Sequence, residues 1–335
     1  MPVLDTKALI DNRVEAFRAY HKEAGIERAQ LDVSGGIDSA VMLALLAKAV
    51  GPENITAVYS NIDSSQSSED RAKEVAEAFG VKLIVINLTE AVYNLTEGMI
   101  LCADDAGFDK SEILERIKND PTIMGSIRSC IRAPIGRGFN RMTGGGIRHG
   151  TGNECEDRWL RFYQKGGDGE VDTNPIAMLS KGEVFQLAIA LGVPKSILEA
   201  LPSPDLQGVG DAHSDESELK ALSGVEWTYS KVDSEGNYTK VGTIERMSRF
   251  IDRRGLDVVA FALLGPGISR DLWMREHFPV MLFSEAEALD FCASALKIER
   301  ATRHKANPNC PALGERGPMV HDGILTNMLP DLSFI

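Results

Sequence analysis

Apolar side chains recur at helical spacing near the start of the chain, where Leu9, Ile10, Val14, Phe17 and Tyr20 predict an amphipathic helix over residues 4–24. A short strand around Leu31-Asp32-Val33 follows and runs into Ser34-Gly35-Gly36-Ile37-Asp38-Ser39. Residues 40–50 predict an apolar helix that stops at Gly51-Pro52. Residues 55–59 are a second strand. Ser67-Ser68-Glu69-Asp70 then resembles a capping box, opening a helix with Ala72, Val75, Ala76 and Phe79 on one face. Gly80 ends that helix, and residues 82–86 are a third strand.

Three strands about 25 residues apart, each pair bridged by a helix, predict an α/β fold with a parallel sheet and right-handed crossovers. Ligands of such sheets bind beyond the carboxyl ends of the strands, which places Ser34–Ser39 and the stretch after Tyr59 at one site. The rhythm breaks at residues 136–152, where seven of seventeen residues are glycine, interleaved with Arg137, Arg141, Arg148 and His149. Arginine and asparagine among glycines suit anion binding better than a flexible spacer. Helical character returns over residues 181–191, ended by Gly192 and Pro194. Residues 225–229 and 238–241 predict a hairpin around Ser234-Glu235-Gly236-Asn237, and residues 243–251 and 284–298 read as helices.

With 335 residues, 43% hydrophobic and 25% charged, the chain has ordinary globular composition and room for one large domain or two modest ones. Acidic residues outnumber basic ones 49 to 36, a formal charge of −13. That argues against a general nucleic-acid partner, which needs a basic face, but not against a small anion in a local positive pocket. The cysteines, Cys102, Cys130, Cys155, Cys292 and Cys310, form no CxxC pair for zinc, an iron–sulfur cluster or redox work. The N-terminus lacks the regions of a signal peptide. The longest apolar run, residues 258–264, is far short of the roughly 20 needed to span a bilayer. A soluble, cytoplasmic protein without a membrane partner is the expectation.

The loop after the first strand carries the strongest chemical signal. Two glycines let the backbone turn tightly and present N–H groups to an anion. The following helix adds its positive N-terminus, and Ser34 and Ser39 add hydroxyl donors. Asp38 would repel a phosphate unless a divalent cation such as Mg2+ bridges the two. The loop is neither GxxxxGK[ST] nor GxGxxG.

These residues resemble the ATP pyrophosphatase group, whose SGGxDS loop grips the pyrophosphate released when ATP adenylates a substrate, and within it the NAD synthetase family. Gly150-Thr151-Gly152-Asn153-Glu154-Cys155-Glu156 resembles the family's GTxNxxE segment, and residues 162–169 resemble FFTKYGDG. Residues 172–181 are similar to its D-x-x-P…L-x-K continuation. Pro202-Ser203-Pro204-Asp205-Leu206 is similar to the P-[ST]-A-D-L turn, and residues 214–219 to the DE-x-x-L element. Residues 125–132 resemble the N-x-K-A-R-x-R stretch, and His304-Lys305 the late His-Lys pair. The likeness covers residues 5–90 and 125–230 well.

The resemblance implies a doubly wound sheet of the adenine nucleotide alpha-hydrolase-like type over residues 1–230, with an insertion at about 98–150. Residues 231–335 would be a family-atypical extension, helical and irregular, packed on it. It implies ATP and pyrophosphate contacts at Ser34, Gly35, Gly36, Asp38, Ser39, Gln66, Thr151, Lys181 and Ser203, and Mg2+ held by Asp38 and Glu156. Arg128, Arg132, Lys165, Asp168, His304 and Lys305 would face the acceptor. Arg128 and Arg132, four apart on a helix, could clamp a carboxylate or phosphate.

The implied reaction is attack of a carboxylate of deamido-NAD on the α-phosphate of ATP, then amidation of the acyl-adenylate by ammonia. Asp38, Lys181 and Asp168 would serve as catalytic residues, Asp168 orienting ammonia or taking its proton. Only 33 residues precede Ser34, so ammonia is expected free or from a separate subunit rather than from a fused glutaminase domain. Family members commonly form homodimers with the nicotinate site at the interface, and the same is expected here. Another acid such as nicotinate mononucleotide, a tRNA-modifying enzyme and a non-catalytic nucleotide-binding module remain alternatives. Two departures from the family pattern stand near the acceptor side. Cys130 replaces a basic residue, and residues 143–149 replace an apolar strand, leaving Ile147 as the main hydrophobe. Arg137, Arg141 and Arg148 are candidates for an extra phosphate or carboxylate contact.

Overall fold

The structure is a computed structural model and describes residues 5–157, 159–201, 214–254 and 285–305. Ser203 with its turn, the apolar run at 258–264 and Cys310 lie outside these residues, as does the side chain of His304. Asp5 accepts from the Ala8 N–H to cap α1 (Thr6–Ala24), and Gly25, at φ 65°, ends it. Strand β1 (Ala29–Asp32) leads through the glycine loop into α2 (Ile37–Val50). Residues 40–46 of α2 are wholly buried, because the helix is apolar on every face and lies between the sheet, α1 and a later helix, α8 (Lys181–Leu191). Next come β2 (Ile55–Asn61), α3 (Gln66–Ala78), β3 (Leu83–Asn87), α4 (Thr89–Asp105), α5 (Lys110–Asn119), α6 (Pro121–Met142) and β4 (Ile147–His149).

All four strands are parallel, in the order β3-β2-β1-β4. The sheet grows from β1 toward β3 and then resumes on the other side of β1 with β4. The crevice between the carboxyl ends of β1 and β4 is therefore the topological switch point, where open α/β sheets bind ligands. Side chains of β1 alternate across the sheet. Ala29 and Leu31 join the core beneath α2, while Gln30 and Asp32 face α6. A smaller cluster of Ile62, Leu88 and Val92 packs against Ile127, Ile131 and Ile135 of α6. Helices thus cover both faces, and the doubly wound α/β class expected from the sequence is the observed one.

The glycine-rich stretch differs from its sequence reading. Helix α6 runs unbroken through Gly136 and Gly138 to Met142, and only residues 143–146 turn before β4. Gly136 and Gly146 serve close packing, and Gly150 lines the cavity described below. A Cβ on Gly136 would lie 2.3 Å from an Arg148 guanidinium nitrogen, and one on Gly146 would lie 2.6 Å from the Arg28 backbone. Residues 147–149 supply a buried strand in spite of their polarity, because each polar side chain finds a partner inside. Arg148 is bound to Asp32, Gln30 and the Glu170 carbonyl at the edge of the cavity. Arg137 pairs with Glu170 at 2.8 Å, and Arg141 is exposed.

After β4 come α7 (Glu154–Asp157), α8, α9 (Lys195–Leu198) and α10 (Asp215–Ser223). The hairpin is shorter than its pattern, only β5 (Lys231–Val232) against β6 (Tyr238–Lys240). Residues 225–229 are not a strand, because Trp227 and Tyr229 are drawn into a second core. That core joins Trp159 and Leu160 to α11 (Thr243–Arg254) and α12 (Glu285–Thr302). Trp227 lies 5.1 Å from Trp159 and 4.8 Å from Phe291, ring centre to ring centre. The two indoles donate to Ser248 and Ser294. A buried Arg161–Glu299 pair at 3.1 Å ties α12 to the segment after α7. No described helix is long and apolar enough to cross a membrane.

One buried pair beside the switch point makes stability depend on pH. His21 Nδ1–H donates to the Ile26 carbonyl, so its Nε2 must accept from His149 Nε2–H at 3.0 Å. His149 Nδ1 in turn accepts from the Thr173 hydroxyl at 2.6 Å. Both rings are neutral in this chain of bonds. Burial, with His21 adding to it, pushes His149 down to about 3. Below about pH 6.5 the unfolded chain gains a proton that the native imidazole refuses. Stability is then full above that pH and falls as pH drops toward 3. Buried carboxylates with raised values, Glu156 among them, shift stability the other way over the same range, so the His149 contribution is read as a difference. Between pH 7 and pH 5 the wild-type protein should lose about 2 kcal/mol more stability in urea than His149→Gln. An equal change in the two proteins would contradict a neutral, buried His149.

Candidate active site

A cavity of about 840 Å3 opens at the switch point. Its floor is the loop between β1 and α2. There Gly35 takes φ 80° and passes so close to α3 that an added Cβ would sit 2.2 Å from the Ser68 carbonyl oxygen. Ser39 holds the loop from inside. Its Oγ lies 3.2 Å from Ser34 Oγ, accepts from Ser34 N–H and donates to the Gly36 carbonyl. Gly36 is the N-cap of α2 and offers no side-chain cap, so the first N–H groups of that helix are left for a ligand. Arg71 donates to the Gly35 carbonyl at 3.0 Å, pinning the loop to α3.

Opposite the loop, a capping box of Ser180 and Glu183 starts α8 and sets Lys181 in its first position. Lys181 Nζ donates to Asp38 Oδ2 at 2.6 Å and to Glu156 Oε1 at 2.8 Å, with only 3% of the side chain exposed. It also sits 5.2 Å above the Tyr229 ring, whose hydroxyl donates to Asp215 at 3.3 Å. Asn153 donates to the other oxygen of Asp38 at 2.9 Å. Burial works against the ammonium, but Asp38, Glu156 and Asp215 together outweigh it and hold Lys181 well above its ordinary value. Burial likewise pushes Glu156 up to about 7, against the pull of Lys181 and with help from Asp38. Three carboxylates surround one ammonium, leaving a formal surplus of two negative charges.

The far wall comes from α6, the segment after α7, and α12. Asp168 Oδ1 accepts from the Gln164 N–H at 2.8 Å and the Ser129 hydroxyl at 2.9 Å. The residue is exposed on its cavity side. The surrounding walls still raise its carboxyl above the usual range, against the pull of those two bonds. Lys305 donates to the Tyr163 carbonyl at 2.8 Å, and Tyr163 OH donates back to the Lys305 carbonyl. Burial lowers the Lys305 ammonium, with Asp168 pulling the other way.

Ser34, Gly35, Gly36, Asp38, Thr151, Glu156, Lys181, Arg132, Asp168 and Lys305 line this one cavity, as their shared motif implies. Four expected residues do not. Ser39 is buried beneath the loop it braces. Gln66 is exposed at the start of α3 and donates to Asp70, while Ser65, Ser67 and Ser68 beside it face the cavity. Arg128, buried, points to Asp63 at 3.3 Å, while Arg132 on the same helix face reaches the Ser60 carbonyl and the cavity. Lys165 is exposed outside the cavity, and only its carbonyl approaches Cys130. Residue-by-residue reading missed Asn153, Arg71, Tyr229 and Asp215. Asn153 and Asp215 stand in the GTxNxxE and DE-x-x-L matches, the signal that could have found them. Tyr229 had none.

The model of the NAD synthase family matches residues 9–241. The chain is 35% identical over 210 residues to the NH3-dependent NAD+ synthetase of Methanococcoides burtonii, spanning 62% of this chain and 70% of that one. It is 33% identical over 210 residues to that of Alkaliphilus oremlandii, spanning 63% and 79%. Among solved structures, NMN synthetase from Francisella tularensis shares the fold, with a TM-score of 0.60 at 21% identity over 92% of this chain and all of that one. A family match over most of the chain, with relatives this similar over more than two thirds of their length, makes this protein a carbon–nitrogen ligase of the NAD synthase family.

Proposed function

We propose that the chain converts deamido-NAD and ammonia to NAD at the expense of ATP, which leaves as AMP and pyrophosphate. The observation that carries this reading is the buried Lys181 between Asp38 and Glu156, facing an uncapped helix N-terminus across one cavity. The names of the relatives from Methanococcoides burtonii and Alkaliphilus oremlandii support the ammonia-dependent form.

The surplus negative charge around Lys181 fits a divalent cation. Mg2+ is commonly held by one or two carboxylates and completed by substrate phosphates. Asp38 and Glu156 would hold it, and its chemistry there is neutralisation of phosphate charge. The N–H groups at the start of α2, with Ser34 and Lys181, receive the β- and γ-phosphates. The acceptor carboxylate forms a bond to the α-phosphorus as the bond to the bridging oxygen breaks, and pyrophosphate carries off the electron pair. Ammonia then attacks the acyl carbon, AMP departs, and Asp168 takes the proton released by the new amide. Walls from α6 and α12 keep water from the acyl-adenylate.

The test is AMP formation from Mg-ATP and ammonium with deamido-NAD, and with nicotinate mononucleotide as a second acid. One AMP per NAD is expected, with the dinucleotide turned over faster. Absence of AMP with every acid would sink the assignment.

A homodimer is part of the same reading. Leu95 and Met99 stand one turn apart on the outer flank of α4, about half exposed, with Phe108 beyond them. An apolar stripe of this kind suits a second copy of the chain. Light scattering should give twice the chain mass, and Met99→Glu should halve it. A monomeric native protein would rule the dimer out.

A further inference from the structure

Asp32, the last residue of β1, carries a carboxylate that the proposed reaction does not use. It lines the cavity, with about a third of its side chain exposed there. Every other side is closed by an arrangement with a cost. Oδ2 accepts from Arg148 at 2.6 Å and Oδ1 accepts from Gln30 at 2.7 Å, while Arg148 also donates to Gln30 Oε1 and to the Glu170 carbonyl. Gln30 and Arg148 are buried in the neighbouring strands β1 and β4, and α6 crosses so closely that a Cβ at position 136 would lie 2.3 Å from the Arg148 guanidinium and 2.6 Å from Asp32 Oδ1. Buried ion pairs of this kind are seldom stabilising relative to well-packed apolar side chains. What this one achieves is a carboxylate of fixed orientation at the mouth of the switch point.

A carboxylate accepts about four hydrogen bonds, and only two are filled among the described residues. Arg148 balances its charge, so the pair neither draws a metal cation nor repels a nearby phosphate. It suits a neutral donor. Asp32 precedes Ser34 by two residues, which keeps its backbone within about 7 Å of the loop that receives the phosphates. The neutral donors of a nucleotide nearest its phosphates are the ribose hydroxyls.

We infer that Asp32 accepts hydrogen bonds from the ribose hydroxyls of the nucleotide on the Ser34–Ser39 loop, and thereby selects ribonucleotides over deoxyribonucleotides. This rests on the reading of ATP as co-substrate. Calorimetry with AMP, 2′-deoxy-AMP and 3′-deoxy-AMP tests it without turnover, and kcat/KM for ATP against the two deoxy-ATPs tests it with turnover. The wild-type protein should favour the ribonucleotide by about tenfold or more over at least one deoxy form. In Asp32→Asn the preference should shrink. In Asp32→Leu/Arg148→Met, which swaps the pair for apolar groups rather than orphaning a charge, it should fall below about twofold. A merely structural role would lower all the nucleotides alike and leave their ratio intact, which would overturn the inference. So would a wild-type protein that binds all three monophosphates equally. Failure to form AMP with any acid, alongside a preserved binding preference, would count against the proposed reaction alone.

Discussion

Lys181→Met is expected to lower AMP formation by about a thousandfold, the order lost when a preorganised charge facing a developing anion is removed. Methionine keeps the length of the stem and its packing over Tyr229 but supplies no charge to the leaving pyrophosphate. The same substitution strands Asp38, Glu156 and Asp215 around an empty centre. Removing one partner of a buried pair typically costs about 3–5 kcal/mol, so the urea midpoint should fall sharply as well. The two effects can be separated. Asp38→Asn/Lys181→Met removes one stranded charge and should recover part of the stability but none of the activity. If Lys181→Met stays within tenfold of wild type in AMP formation, the lysine does not face the phosphates.

Gly35→Ala should be nearly as damaging, and for a backbone reason. At φ 80° an alanine is strained by itself, and its Cβ would lie 2.2 Å from the Ser68 carbonyl, a backbone atom that cannot swing aside. The loop must lift from α3, which breaks the Arg71 bond to the Gly35 carbonyl and misplaces the N–H groups offered to phosphate. A loss of kcat/KM for ATP of about a hundredfold is expected, since small misplacements at a positioned site cost that much. Gly36→Ala is the matched control. Its φ is −91°, and its Cβ would meet only the Ser34 hydroxyl, at 3.2 Å, so stability should change little. Equal effects at the two glycines would show that the strained turn does not set the loop.

Much of the framework was legible along the chain. The strands at residues 29–32, 55–61 and 83–87 fall within a few residues of their apolar runs, and Gly51, Gly80 and Gly192 sit at the helix ends they predicted. Each is a local matter of side-chain period or backbone freedom. The stretch at 136–152 misled because glycine has two uses. Composition cannot separate a glycine that cradles an anion from one that lets a helix cross a strand. Gln66, Arg128 and Lys165 stand off the cavity for a related reason. A motif fixes which residues stand near a site, but one turn of helix or one bend decides which of them face it.

The chain by itself determined the parallel sheet, its glycine loop and the family chemistry, because hydrophobic period, turn residues and ordered motifs act between near neighbours. Only the tertiary structure decided that Lys181 would meet Asp38, 143 residues away, and that Arg148 would meet Asp32 across 116 residues. It also decided that α12 would wall the cavity that β1 opens. Such pairings depend on how distant segments close over the switch point, and a buried charge is tolerable only when that closure brings it a partner.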